Sequence, residues 1–185
     1  MDLDSYRYHY LDEGQGETLL MLHGNPTWSF YYRNLILDLK NAYRCVVPDH
    51  MGMGKSDKPQ NYPYTLSQHI DNLVALVSEL SLKDITLVVH DWGGFLGLTI
   101  PMEMEERFEG IILHNTVVTT GTQIMSESYV DWRKYCIDNP DLNVRAVMAR
   151  TNRILNLKEC NAYHAPFDNY DSKVCLLYTS PRPRD

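Results

Sequence analysis

Cysteine is scarce and scattered. The four residues Cys45, Cys136, Cys160 and Cys175 form no CxxC pair, which argues against a zinc ribbon or a disulfide framework and for separate thiols; neither a metal nor a cofactor is expected. No apolar run approaches the roughly 18 residues that cross a bilayer, so no membrane partner is expected. Lysine and arginine (17) are outnumbered by aspartate and glutamate (24), giving a net charge of −7. The basic residues form no run or stripe that could neutralise phosphates, which excludes nucleic acid as a partner. Met1-Asp2-Leu3-Asp4 is acidic where a secretory signal is basic and then apolar, making the cytoplasm the expected address. A phosphate loop is lacking too: Gly52-Met53-Gly54-Lys55-Ser56 does not have the GxxxxGKS spacing and reads as a tight turn after a strand.

The 185 residues, 44% of them hydrophobic, suffice for one domain of average size with its own core. Tyr6, Tyr8 and Tyr10 alternate with Arg7 and His9, predicting a half-buried strand, and Leu19-Leu20-Met21-Leu22 is a short apolar run ending at His23-Gly24. Residues 30–39 take helical spacing, and Cys45-Val46-Val47 is a further run closed by Pro48-Asp49. After a Gly/Lys/Asp/Pro-rich loop at 52–63, Thr65-Leu66-Ser67-Gln68 fits a capping box. The stripe Ile70, Leu73, Val74, Val77, Leu80 then predicts an amphipathic helix, and residues 85–89 read as a buried parallel strand. Gly93-Gly94 opens an apolar helix expected to run to about Phe108 despite Pro101, and Ile111-Ile112-Leu113 predicts a strand ending near Asn115.

This alternation implies an α/β sheet. From about 120 to 174 the texture changes, with Trp132, Tyr135, Pro140, Leu142 and Val147 in short helical patterns and no strand, which predicts an inserted helical cap. The expected organisation is a partial core over 1–119, a cap over 120–174, and a tail over 175–185. That tail follows neither pattern, resembles translated vector sequence, and is expected to be foreign.

The most informative stretch is Val88-Val89-His90-Asp91-Trp92-Gly93-Gly94, in which a buried strand enters a helix through two glycines. Such a sharp turn projects its central residue over the sheet, as in the nucleophile elbow, and here that residue is Asp91. A carboxylate can attack a saturated carbon directly and form an alkyl ester with no general base for that step. The helix start favours the anion. Taken alone, Asp91 fits a plain helix cap as well.

With its flanks, the chain resembles the haloalkane dehalogenases of the α/β-hydrolase superfamily. The resemblance rests on HGNPTWSFYYR (23–33), VVPDHMGMGKSDKP (46–59), ITLVVHDWGGFLGLTIPM (85–102) and AYHAPF (162–167), in that order. It implies an α/β-hydrolase fold, a mostly parallel sheet with an inserted helical cap, and a small apolar haloalkane as substrate. It also implies that Asp91 is the nucleophile and that the backbone N–H groups of Asn25 and Trp92 form the oxyanion hole. Halide would be held by the Trp92 indole together with either Trp132 or the Asn25 carboxamide, and Pro26 would be a cis-proline.

Turnover in that family needs a histidine and an acid that usually follow the cap. None of the seven histidines lies in such a context, and each is expected to be structural; Asn115, at the acid position of one branch, cannot ionise. The C-terminal part of the core is therefore expected to be missing, leaving a truncated enzyme that forms the ester once at best. Three alternatives stand beside the dehalogenase. HGNPTWSFYYR, PDHMG and PYTLSQHIDNL also resemble the β-lactone decarboxylases of hydrocarbon synthesis. An epoxide hydrolase would need cap tyrosines, and Tyr129, Tyr135 and Tyr163 are present without a recognisable pattern. The third is an inactive fragment.

Overall fold

The computed structural model describes residues 1–117, 126–151, 154–173 and 175–176. A hairpin of β1 (Asp2–Leu3) and β2 (Tyr6–Arg7) leads into a five-stranded sheet of β3 (Tyr10–Glu13), β4 (Thr18–Leu22), β5 (Arg44–Pro48), β6 (Ile85–His90) and β7 (Phe108–His114), in the order β3-β5-β4-β6-β7. Only β3 runs antiparallel. The sheet is thus mostly parallel, as the alternation of strands and helices requires.

Every residue of β4 is buried, because helices cover both faces of the centre, and so the strand reads as a continuous apolar run rather than an alternation. One core cluster includes Leu20, Leu22, Leu87 and Val89; the other face gathers Leu19, Met21, Val47 and Val88. Helix α1 (Arg33–Leu39) covers the second face, placing Ile36 in that cluster, and α2 (Leu66–Glu79) covers the first with Leu73, Leu76 and Val77. At the other end β7 leaves Ile111, Ile112 and Leu113 45–57% exposed.

Local structure departs from the sequence pattern in three places. The expected strand over residues 6–10 is split: Tyr8 is fully buried and its N–H closes back on the Met1 carbonyl, so the ladder stops at Arg7 and resumes at Tyr10. The expected capping box is half made: Thr65 accepts from the Gln68 N–H at 3.2 Å, but the Gln68 amide reaches on to Asn72 instead of back. The helix expected to run to Phe108 is broken into α3 (Trp92–Gly97), α4 (Ile100–Glu103) and a 3₁₀ turn at Glu105–Arg107. Pro101 has no N–H and its ring clashes with the carbonyl four residues earlier, so α3 stops and α4 starts with the proline in its first turn, where it is tolerated.

Beyond β7 come α5 (Glu127–Asp138), α6 (Val144–Thr151) and α7 (Leu157–His164), with no strand among the described residues. The expected boundary at 119/120 falls in 118–125, outside the described residues. Cys136, Leu142, Val144, Met148, Tyr163 and Phe167 join the same core cluster as β4 and β6, so this helical segment shares the core of the sheet. Arg33 ties it down: its guanidinium pairs with Glu159 of α7, donates to the Tyr163 hydroxyl at 3.2 Å, and lies over the Phe30 ring at 4.3 Å. Cys175 and Leu176 are also buried in this cluster, and the rest of the expected tail, 177–185, lies outside the described residues. All four cysteines are buried, and the Cys175 Sγ donates to the Gly52 carbonyl. Among the described residues, no helix is long and apolar enough to cross a membrane.

Candidate active site

Strand β6 delivers Asp91 to the carboxyl end of the sheet, where its backbone takes φ 53°, ψ −124° between β6 and α3. A left-handed φ on a non-glycine residue is strained and persists only where the surroundings enforce it. Three glycines do so here. A β-carbon on Gly93 would fall on the Leu22 carbonyl, one on Gly94 on the Thr116 hydroxyl, and one on Gly24 on the Asp91 carboxylate. The HDWGG and HG patterns are thus the sequence form of a close approach between the β4 exit, the β6 exit and the start of α3. Thr116 locks the turn by donating to the Asp91 carbonyl at 2.8 Å.

The Asn25 N–H donates to Asp91 Oδ1 at 2.9 Å, and the Asn25–Pro26 peptide is cis. Among the described residues this is the one hydrogen bond to the carboxylate, and Oδ2 carries none. Trp92 opens α3, so its N–H belongs to the first-turn amides that lack an intrahelical partner. Its indole is 8% exposed and lines a small apolar pocket with His50, Met53, His69 and Leu96. The structure therefore brings Asp91, Asn25 and Trp92 together. Trp132 is placed differently: it stands on α5, partly buried against the large core cluster and stacked on Tyr135 with ring centroids 6.0 Å apart, and no hydrogen bond links it to the other three.

The loops around this turn are held by polar groups that sequence reasoning passed over. Asp49 is fully buried just after β5; Oδ1 accepts from the Ser29 N–H at 2.7 Å, and Oδ2 from the His9 ring at 2.8 Å and the Lys55 N–H at 2.9 Å. Burial pushes its pKa up, yet the hydrogen bonds from the His9 ring and from the Lys55 and Ser29 amides outweigh this and hold it below the ordinary carboxylate value. Gly54 lacks a side chain because a β-carbon there would strike this carboxylate, which explains the turn in the Gly52–Gly54 segment.

His23 interlocks with His50: its Nδ1 meets the Gly24 carbonyl at 2.9 Å and its Nε2 accepts from the His50 N–H at 3.1 Å. His50 returns Nε2 to the His23 carbonyl at 3.1 Å. With one ring nitrogen donating and the other accepting, His23 is a neutral imidazole in this arrangement. Burial lowers the pKa of His23, His50 and His69 alike. His90 is stacked on Tyr31 at 4.4 Å. Among the described residues no histidine is hydrogen-bonded to the Asp91 carboxylate.

Comparison with known proteins agrees with this fold. The alpha/beta hydrolase fold family matches residues 17–147. A cis-3-alkyl-4-alkyloxetan-2-one decarboxylase of Shewanella oneidensis is 52% identical over 113 residues, 60% of this chain and 36% of the decarboxylase. A haloalkane dehalogenase of Mycolicibacterium paratuberculosis is 37% identical over 171 residues, 90% of this chain and 57% of the dehalogenase. Among solved structures, the tetrameric haloalkane dehalogenase DpaA from Paraglaciecola agarilytica NO2 superposes with a TM-score of 0.88 at 40% identity, covering 94% of this chain and 60% of that one. The chain thus spans well under two thirds of the length of these relatives. With a family match over more than half its length, a mostly parallel sheet and an elbow between β6 and α3, this chain belongs to the α/β-hydrolase fold family.

Proposed function

We propose that this chain carries the nucleophilic half of a haloalkane dehalogenase, with Asp91 as the attacking group. The observation that carries the reading is the strained elbow that projects Asp91, with Oδ1 held by the Asn25 N–H and Oδ2 accepting no hydrogen bond from the described residues. Oδ2 attacks the carbon that bears the halogen; the C–O bond forms as the carbon–halogen bond breaks, and halide departs with the bonding pair. The Trp92 indole N–H, a donor with no competing acceptor, meets the departing halide, assisted by the Asn25 carboxamide or by Trp132 from the cap formed by α5, α6 and α7. The backbone N–H groups of Asn25 and Trp92 polarise the ester carbonyl for attack by water, and losing one such donor typically slows a step by about 100- to 1000-fold. The histidine and acid that would activate this water are not among the residues gathered at Asp91.

The test is mass spectrometry of the protein after exposure to short bromoalkanes, together with bromide release. A covalent adduct on Asp91 that is lost in Asp91→Asn is the expected result. An adduct elsewhere, or bromide release unchanged in Asp91→Asn without deamidation, refutes it. A second reading, β-lactone decarboxylation, is favoured by the greater identity of the Shewanella decarboxylase over the stretch it shares with this chain. Carbon dioxide release from a β-lactone distinguishes the two.

A further inference from the structure

Strand β7 (Phe108–His114) is the longest in the sheet and stands at its edge: β6 pairs with one side, and among the described residues no strand pairs with the other. A strand in a parallel sheet is ordinarily covered on both faces. Here the register with β6 sets Ile111 and Leu113 beside Leu87 and Val89, on the face of the larger core cluster, and Ile112 beside Val88, on the opposite face. The three β6 residues are at most 4% exposed, yet Ile111, Ile112 and Leu113 are 48%, 45% and 57% exposed, and Val117 just beyond is 56% exposed. The uncovered apolar patch therefore wraps the edge from one face to the other.

The two edges of the sheet are built differently. At the β3 edge, Asp12 and Glu13 pair with Arg44 and Lys40, and such charges discourage a further strand. Strand β7 holds no lysine, arginine or proline, and its one acidic residue, Glu109, lies near its start. Residues 110–114 thus present an unguarded backbone edge, which is a template for pairing.

The strand's own sequence selects the partner. In an antiparallel pair that continues a sheet about a two-fold axis, each face stays on its own side, so opposed residues belong to the same face. An axis at Ile112 sets Ile112 against its copy, Ile111 against Leu113, and Glu109 against Asn115. An axis at Ile111 would set Glu109 against Leu113, and one at Leu113 would set Ile111 against Asn115 and Ile112 against His114. Of the three, the register centred on Ile112 matches each apolar side chain of residues 111–113 with another and brings no like charges together.

We propose that the open edge of β7 pairs with β7 of a second copy of this chain, joining the two five-stranded sheets around a two-fold axis at Ile112. Ile111, Ile112, Leu113 and Val117 leave open roughly 400 Å² per copy, half of the ~800 Å² that one partner brings to a standard interface. The strand backbone with Glu109, His114 and Asn115 adds to this, so the pair is reversible and concentration-dependent.

Sedimentation velocity of the 185-residue chain over about 1–500 µM should show dimers forming as concentration rises. Ile112→Lys sets a charge against its copy, and Leu113→Lys sets one against Ile111 of the second copy. Each should raise the dissociation constant about tenfold or more, with circular dichroism and Tm unchanged because the positions are half exposed. Cysteines introduced at the edge test the register and keep the proposal falsifiable should a lysine unfold the chain. All four native cysteines are buried. In Ile112→Cys the two new thiols face each other across Cα atoms about 5 Å apart, a span a disulfide bridges, so mild oxidation should give a covalent dimer. In Glu109→Cys the two copies stand about 20 Å apart and should not cross-link. A chain that stays monomeric throughout, a dimer indifferent to both lysines, open-ended assembly in place of a closed pair, or equal cross-linking at 109 and 112 overturns the proposal. Slow amide exchange along β7 in such a monomer would assign the edge to another segment of the same chain.

Discussion

Asp49 provides a quantitative test of how the loops around the elbow are held. Its carboxylate accepts three hydrogen bonds, from Ser29, Lys55 and His9, in a site without solvent exposure. In Asp49→Asn the amide can keep its oxygen toward His9 and Lys55, but its NH₂ then faces the buried Ser29 N–H, so one donor loses its acceptor at a cost of about 1–3 kcal/mol. In Asp49→Ala all three donors lose their acceptor and a charge-assisted bond is removed, which should cost about 3–5 kcal/mol, a large part of the roughly 5–15 kcal/mol of a whole domain. Urea titrations by linear extrapolation should rank wild type above Asn above Ala. The pH dependence has a definite sign. The folded pKa of Asp49 is depressed, so its charge contributes stability that is full above the unfolded value of about 3.9 and is lost as pH falls through the folded value. The gap between wild type and Asp49→Asn should therefore narrow below about pH 4. An Ala variant that loses less than about 1 kcal/mol, or a gap that widens in acid, would refute the assignment of Asp49 as the clamp of these loops.

Three further outcomes follow from the geometry. Gly93→Ala should cost about 1–3 kcal/mol or more and lower soluble yield, because the new methyl meets the backbone carbonyl of Leu22 rather than a movable side chain. His69, buried and lowered from 6.5 to about 4, makes stability decline as pH drops from about 6.5 toward 4, because the unfolded chain takes up its proton first; the slope reaches about 1.4 kcal/mol per pH unit. His69→Phe should flatten that decline in thermal or urea unfolding between these limits. Arg33→Met should speed amide exchange in the first turns of α7 by severalfold or so while leaving β4 and β6 protected, since Arg33 joins α7 to the core through Glu159 and Tyr163.

Legibility in the sequence followed burial and backbone chemistry. Strands β4 and β6 are plain because both faces are covered, so their composition alone marks them. The elbow is plain because Gly24, Gly93 and Gly94 are demanded by close approaches that no other residue permits. The break between α3 and α4 is hidden, since the apolar pattern runs on through Pro101 and only the lost N–H interrupts it. Asp49 is hidden for another reason. Its partners come from positions 9, 29 and 55, so its neighbourhood in sequence shows an aspartate after a strand and no sign of a clamp.

Asp91 and helix α5 are held by separate parts of the fold. Asn25 and Asp91 follow the ends of β4 and β6, and these strands pair in register from Thr18 with Ile85 to Leu22 with Val89, so their 2.9 Å bond is set by a parallel ladder deep in the core. Tyr129, Trp132 and Arg133 sit on α5, which reaches the core through side chains such as Cys136 and Trp132 instead of through the sheet. A change on α5 leaves the ladder that positions Asp91 in place, whereas a β-carbon at Gly93 strikes the Leu22 carbonyl and disturbs the elbow itself.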